Sequence, residues 1–158
     1  MRPKKNSIPA AGEGKRGEQG YFGYLLRQAS NAHRARMEKA LADMTITPPQ
    51  FSVLTMVNAY PGISNADLAR LSMLTPQTVS VIVSNLEKSG ALKRRPHAVH
   101  GRIQQLEITT EGKALLKSCK QRASQVEQEL AIHLNEKEAA IVRRWLAAVA
   151  VENDSSSR

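Results

Sequence analysis

A mainly α-helical fold with one small antiparallel β-hairpin is predicted, organised as a winged helix-turn-helix domain between longer helices. Three observations predict it. Residues 64–90 hold two short amphipathic segments in succession, each opened by a hydroxyl residue, the second closed by Gly90. Residues 92–108 read as two short strands around the basic tip PHAVHGR. Segments with helical apolar spacing stand on both sides of this unit.

Taken in order, residues 1–20 carry Gly, Pro, Lys, Arg and Glu without periodicity and read as a disordered basic tail. From 21 to about 44, Phe22, Leu25, Leu26, Ala29, His33, Met37, Ala40, Leu41 and Met44 recur at three- and four-residue steps, which predicts a helix. Arg27, Asn31, Arg34 and Glu38 occupy its other face. A second helix starts at Thr47, with Pro48 in its first turn and Gln50 completing a capping box. Phe51, Leu54, Thr55, Val57 and Asn58 mark its inner side, and Pro61 and Gly62 stop it. Ser64 and Asp67 open a third, around Leu68, Ala69 and Leu71. The turn follows, and Thr75 with Pro76 starts a fourth that runs to about Ser89. In the second strand Leu106 and Ile108 alternate with Gln105 and Glu107, so one side faces a core. A long helix from Thr110 or Glu111 to about Leu134 carries Leu115, Leu116, Cys119, Ala123, Val126, Leu130 and Leu134 as its stripe. Asn135 and Glu138 cap a last helix with Ala139, Val142, Trp145, Leu146 and Val149 on one face. Residues 151–158 read as a second disordered tail. The division is thus 1–20, an N-terminal helix over 21–46, a winged unit over 47–110, C-terminal helices over 111–150, and the tail.

Composition narrows the function. The chain has 158 residues, enough for one domain with a core, and a formal net charge of +9. Such a balance favours a polyanionic partner, nucleic acid before an anionic membrane. No apolar run approaches the roughly 18 residues of a spanning helix, and the N-terminus lacks the apolar core of a secretory signal. The one cysteine excludes an internal disulfide and fits a reducing compartment, so a cytoplasmic location is expected. Aromatics make up 4 % of the chain, too few for the stacking platforms that bind single strands.

The fourth helix divides cleanly at about 100° per residue. Val79, Ile82, Val83 and Leu86 fall on one face and must be core. Gln77, Val81, Ser84 and Lys88 fall opposite, with Ser80 at the edge. A glutamine can read adenine with two hydrogen bonds, and a valine can pack on a thymine methyl. Ser80 and Ser84 suit bases or phosphates, and Lys88 a phosphate. The bland alternative is a polar solvent face with one stray valine. Next to it, no acid occurs between Lys88 and Leu106, whereas Lys93, Arg94, Arg95, His97, His100 and Arg102 do. A basic hairpin of this sort can follow a phosphate backbone or place an arginine in the minor groove.

Other chemistry is missing. GEGKRG in the tail lacks the spacing and context of a phosphate loop. His97 and His100 lack cysteine partners for zinc, so no metal or other cofactor is expected. His33 reads as a buried, hydrogen-bonded core histidine, and Cys119 as a small core hydrophobe. No nucleophile is assembled with a base, so an enzyme is not expected. The competing reading is a winged helix used for protein contact without specific DNA binding, and the basic run over 88–102 speaks against it.

TPPQFSVLTMV, SNADLARLSMLTPQTVSVIVSNLEKSGALKRR and HGRIQQLEITTEGKALL, in that order and spacing, resemble the MarR family of bacterial transcriptional regulators over roughly Tyr21 to Val149. The resemblance implies an obligate homodimer with interlocked N- and C-terminal helices, and recognition helices in successive major grooves of a pseudo-palindromic duplex. It also implies a small aromatic or anionic effector held between the dimerisation helices and the winged domain. By position Ser64, Thr75, Gln77, Ser80, Val81 and Ser84 match the family's DNA-contacting region, and Arg102 matches its wing arginine; Pro76 between them is a further DNA-binding candidate. Two residues depart from the pattern. His100 stands where an acid usually buttresses the wing arginine, and Val81 where an arginine is frequent. Losing a bidentate guanine contact at position 81 removes roughly 1–3 kcal/mol of discrimination, so a different operator is implied. The first helix has no cysteine, so the resemblance does not extend to the peroxide-sensing branch with its N-terminal cysteine.

Overall fold

A computed structural model describes residues 8–101 and 104–151. Among the described residues the chain forms α1 (Phe22–Ala40), α2 (Pro48–Ala59), α3 (Asn65–Ser72), α4 (Pro76–Lys88), β1 (Leu92–Pro96), β2 (Gln104–Ile108), α5 (Thr110–Ala131) and α6 (Glu136–Val151). The strands make one two-stranded antiparallel sheet.

Local chemistry sets most of the boundaries. The Thr47 hydroxyl accepts from the Gln50 amide while the Gln50 side chain accepts from the Thr47 amide at 2.9 Å, closing a capping box on α2. Ser64 and Thr75 cap α3 and α4 in the same way, through the amides of Asp67 and Thr78. Asn135 and Glu138 exchange both capping bonds at the start of α6. The turn between α3 and α4 puts Met73 at φ 53°, a left-handed conformation uncommon for a residue with a side chain. Gly90, at φ 79°, ends α4 and turns the chain into β1. At Gly112 a Cβ would lie 2.1 Å from the Ala91 carbonyl oxygen, so only glycine lets α5 start this close to β1.

The core sits where α2, α3, α4, the hairpin and the first half of α5 meet. Val53, Leu54, Val57, Leu68, Val79, Val83, Leu86, Leu92, Leu106, Leu116 and Cys119 are buried there. Val79, Ile82, Val83 and Leu86 thus form the inner face of α4, as their spacing predicts. The second helix differs from its predicted set. Val53 is fully buried, whereas Phe51 and Thr55 are only half-buried at its flank.

Three further expectations change. The apolar spacing of the first helix runs on to Met44, but α1 ends at Ala40 and residues 41–45 turn to bring Leu41 and Ile46 into the core. α5 ends at Ala131 instead of Leu134. Residues 8–20, predicted to lack structure, hold a single 3-10 turn at Gly14–Arg16. Arg16 Nη1 donates to the Pro9 carbonyl at 2.8 Å, and Gln28 of α1 donates to the Arg16 carbonyl at 3.3 Å. These side-chain bonds hold a segment that has no apolar periodicity of its own.

Candidate nucleic-acid interface

The outer face of α4 is presented to solvent. Gln77, Ser80, Val81 and Lys88 are exposed, and Val81 retains 60 % of its accessible surface. Ser84 is half-buried. Pro76 is exposed at the first helical position, where its missing N–H costs nothing. Thr75 Oγ1 both accepts the Thr78 amide at 3.2 Å and lies 2.8 Å from Thr78 Oγ1. Thr78 is itself exposed, and so is Asn85 one turn beyond Val81. Neither is among the residues that sequence pattern singles out. Their signal is angular, since both lie on the solvent half of the helix beside Val81. Ser64 is half-buried and occupied, donating to Asp67 Oδ2 at 2.8 Å while accepting the Asp67 amide at 3.1 Å. That hydrogen bond, and then the bond from Arg70, hold the Asp67 carboxyl below the usual aspartate range.

The hairpin lies beside this helix in a fixed relation. Its register pairs Leu92 with Ile108, Lys93 with Glu107, Arg94 with Leu106 and Arg95 with Gln105. Alternation therefore sends Arg94 toward α4, where its Nε donates to both Glu87 carboxylate oxygens at 2.9 and 3.0 Å. Lys93 and Arg95 flank Glu107 on the other face, with Nζ at 3.7 Å and Nε at 2.5 Å. The basic run is thus partly compensated, by acids just outside the acid-free interval and not within it. At the tip, His97 Nδ1 accepts the amides of Val99 and His100 at 3.1 and 3.2 Å, and the two imidazoles stack with centroids 5.6 Å apart. Only an unprotonated Nδ1 can accept these bonds. Arg102, the expected wing arginine, lies outside the described residues.

Two apolar features lie away from this face. A cavity of about 920 Å³ opens between α1, α2 and α5, with Met37, Phe51, Met56 and Ala123 on its apolar walls and Arg34, Lys120 and Glu127 on its polar ones. His33 lines it as well, and its Nδ1 is buried without a hydrogen-bond partner among the described residues. The hydrogen bond expected of this histidine is thus not made at Nδ1 among the described residues. Such an orphan costs about 1–3 kcal/mol. The second feature is the outer half of α1 together with α6. No residue of α6 is buried, and Phe22, Ile141, Trp145, Leu146 and Val149 are exposed. Phe22 and Trp145 meet with ring centroids 5.7 Å apart, which joins the two helices into one apolar surface. No described helix is long and apolar enough to cross a membrane. Cys119 is fully buried, and burial raises its thiol pKa.

A recognition helix with an apolar inner face and a polar outer face, tied to a basic hairpin, defines a winged-helix DNA-binding regulator. The chain belongs to the MarR family, whose profile matches residues 46–103. The HTH-type transcriptional repressor Rv2887 of Mycobacterium tuberculosis is 35 % identical over 96 residues, covering 61 % of this chain and 69 % of that protein. Among solved structures, the transcriptional repressor CouR bound to a 23-mer DNA duplex superposes with a TM-score of 0.76 at 26 % identity, covering 84 % of this chain and 94 % of CouR. The PcaV transcriptional regulator of Streptomyces coelicolor, in complex with its natural ligand, gives 0.73 at 25 % identity over 84 % and 93 % of the two chains.

Proposed function

We propose that this chain is a cytoplasmic, ligand-responsive transcriptional repressor that binds a pseudo-palindromic operator as a homodimer. The observation that carries the reading is the exposed face of α4, Gln77, Ser80, Val81 and Lys88, held beside a basic hairpin by the Arg94–Glu87 pair. Its activity is binding, not catalysis. Gln77 reads a base edge and Val81 packs on a thymine methyl. Thr75, Ser80 and Ser84 contact bases or phosphates near the start of the helix. Lys88, Arg95, His97, His100 and Arg102 follow the backbone, which positions the protein without reading sequence. Residues 47–110 form the DNA-binding unit, and 21–46 with 111–150 the dimerisation unit. The apolar surface of α1 and α6 supports the second assignment, because one copy leaves it uncovered. The cavity between α1, α2 and α5 supports an effector site at the junction of the two units. A ligand there acts only if it binds one spacing of the two recognition helices better than the other. The repressor name of Rv2887, the duplex held by CouR and the ligand held by PcaV support the same assignment.

Selection of bound fragments from the source genome, followed by gel shift across a salt series, tests the reading. Specific duplex is expected to bind tighter than random duplex, with steep loss of affinity as salt rises. Equal affinity for both across salt sinks sequence-specific recognition. Gln77→Ala is expected to flatten base preference at one position by about 1–3 kcal/mol, whereas Arg102→Ala weakens all sequences together.

A further inference from the structure

The exposed face of α4 lacks one kind of chemistry. Over Pro76–Lys88 the helix holds no arginine, a single lysine, Lys88, as its last residue, and a single acid, Glu87. Glu87 is engaged, since both of its carboxylate oxygens accept from Arg94 Nε. Gln77, Val81 and Asn85 are all exposed and stand four residues apart. Each step of four turns the side chain by about 40° and advances it by about 6 Å. The three therefore form one ridge about 12 Å long. Thr78 is exposed beside it, and Val79, Ile82, Val83 and Leu86 fill the inner face.

The chemistry of the ridge selects among base pairs. In the major groove guanine shows two acceptors, N7 and O6, matched by the donors of an arginine or a lysine. No such donor stands on the helix before Lys88. Cytosine shows a donor at N4, matched by a carboxylate. The carboxylate of this helix is held by the hairpin. Adenine shows an acceptor, N7, beside a donor, N6. The amide of a glutamine or an asparagine matches both at once. Thymine shows a methyl group, which a valine covers. An amide, a branched apolar group and a second amide in succession thus complement A·T pairs. Successive bases lie about 3.4 Å apart, so the ridge spans roughly three to four pairs.

We propose that Asn85 is a specificity-determining residue beside Gln77 and Val81, and that the major-groove core of each half-site is a run of A·T pairs. Gln77 and Asn85 take adenines toward the two ends of the run, and Val81 takes the methyl of a thymine between them. The proposal rests on α4 being the recognition helix and goes beyond that reading by naming the bases.

Selection from a random duplex library with the full chain, followed by titration of the selected duplex, tests it. The selected half-sites are expected to share a run of A·T pairs. In that duplex, uracil in place of the central thymine removes the methyl and should weaken binding about fourfold. 7-Deazaadenine, which lacks the N7 acceptor, should weaken it about fivefold toward either end of the run. Asn85→Ala should lose about tenfold in preference for adenine at one end while affinity for random duplex holds. A selected core of G·C pairs overturns the proposal. So does unchanged affinity with either modified base. An Asn85→Ala variant that keeps its base preference overturns it too, as does one that weakens all duplexes alike, which would make the residue a phosphate contact. Enrichment of no sequence at all sinks the DNA-recognition reading itself, whereas enrichment of a G·C core sinks only the assignment of bases.

Discussion

Arg94 in the first strand of the hairpin grips Glu87 near the end of the recognition helix, with Nε 2.9 and 3.0 Å from the two carboxylate oxygens. The pair ties the hairpin to the end of that helix. It also neutralises a cation that faces the helix. Glu87→Gln is expected to release Arg94 toward phosphate and steepen the salt slope of duplex binding by about 0.9. A slope identical to wild type would take Arg94 out of the interface.

Ser64 gives a second test, read by acid unfolding. Its cap is worth about 0.5–2 kcal/mol, and its hydroxyl is the largest cause of the lowered Asp67 pKa. A carboxyl lowered on folding contributes stability above the ordinary aspartate range, and loses it as pH falls through the lowered value. The gap between wild type and Ser64→Ala should therefore be widest near neutral pH and narrow in acid. A gap constant with pH would show that only the backbone cap mattered.

At the hairpin tip, His97 Nδ1 accepts the amides of Val99 and His100. His97→Ala is expected to speed hydrogen exchange at those two amides, and His97→Asn, which keeps a side-chain acceptor, to restore most of the protection. Exchange unchanged in His97→Ala would take the imidazole out of the turn.

Leu146 lies in the uncovered face of α6. Leu146→Glu is expected to give a folded monomer in sedimentation, since α6 contributes no residue to the core. Affinity for a full operator should collapse toward that for a half-site. A dimeric variant would place the partner surface elsewhere.

Cys119 is expected to behave as core. Its thiol should react with a disulfide reagent only after denaturation, because burial both hides it and raises its pKa. Cys119→Ser should cost about 1–3 kcal/mol in denaturant unfolding. Rapid labelling of the native protein would contradict the packing.

What was readable from sequence was local. Thr47 with Gln50, Ser64 with Asp67, Thr75 with Pro76, and Asn135 with Glu138 each start a helix through contacts within three residues, so spacing alone announces them. Val79, Ile82, Val83 and Leu86 follow from periodicity. Partnerships that depend on register were not readable. Glu87 and Glu107 lie outside the acid-free interval, and only the pairing of the strands shows which cations they meet. The end of α1 at Ala40 was hidden for a related reason. Leu41 is buried in a turn, and burial repeats the apolar signal of a helix without its geometry. The orphaned Nδ1 of His33 and the cavity it lines arise from the packing of α5 against α1 and α2, which no linear pattern encodes.

The bare face of α6 reaches beyond architecture. If two chains must meet to form one operator-binding particle, mass action governs how many particles exist. Below the dissociation constant of the pair, their number varies with the square of chain concentration. Halving synthesis would then leave about a quarter of the particles. A helix that buries nothing by itself thereby turns gene dosage into a threshold for occupancy of the operator.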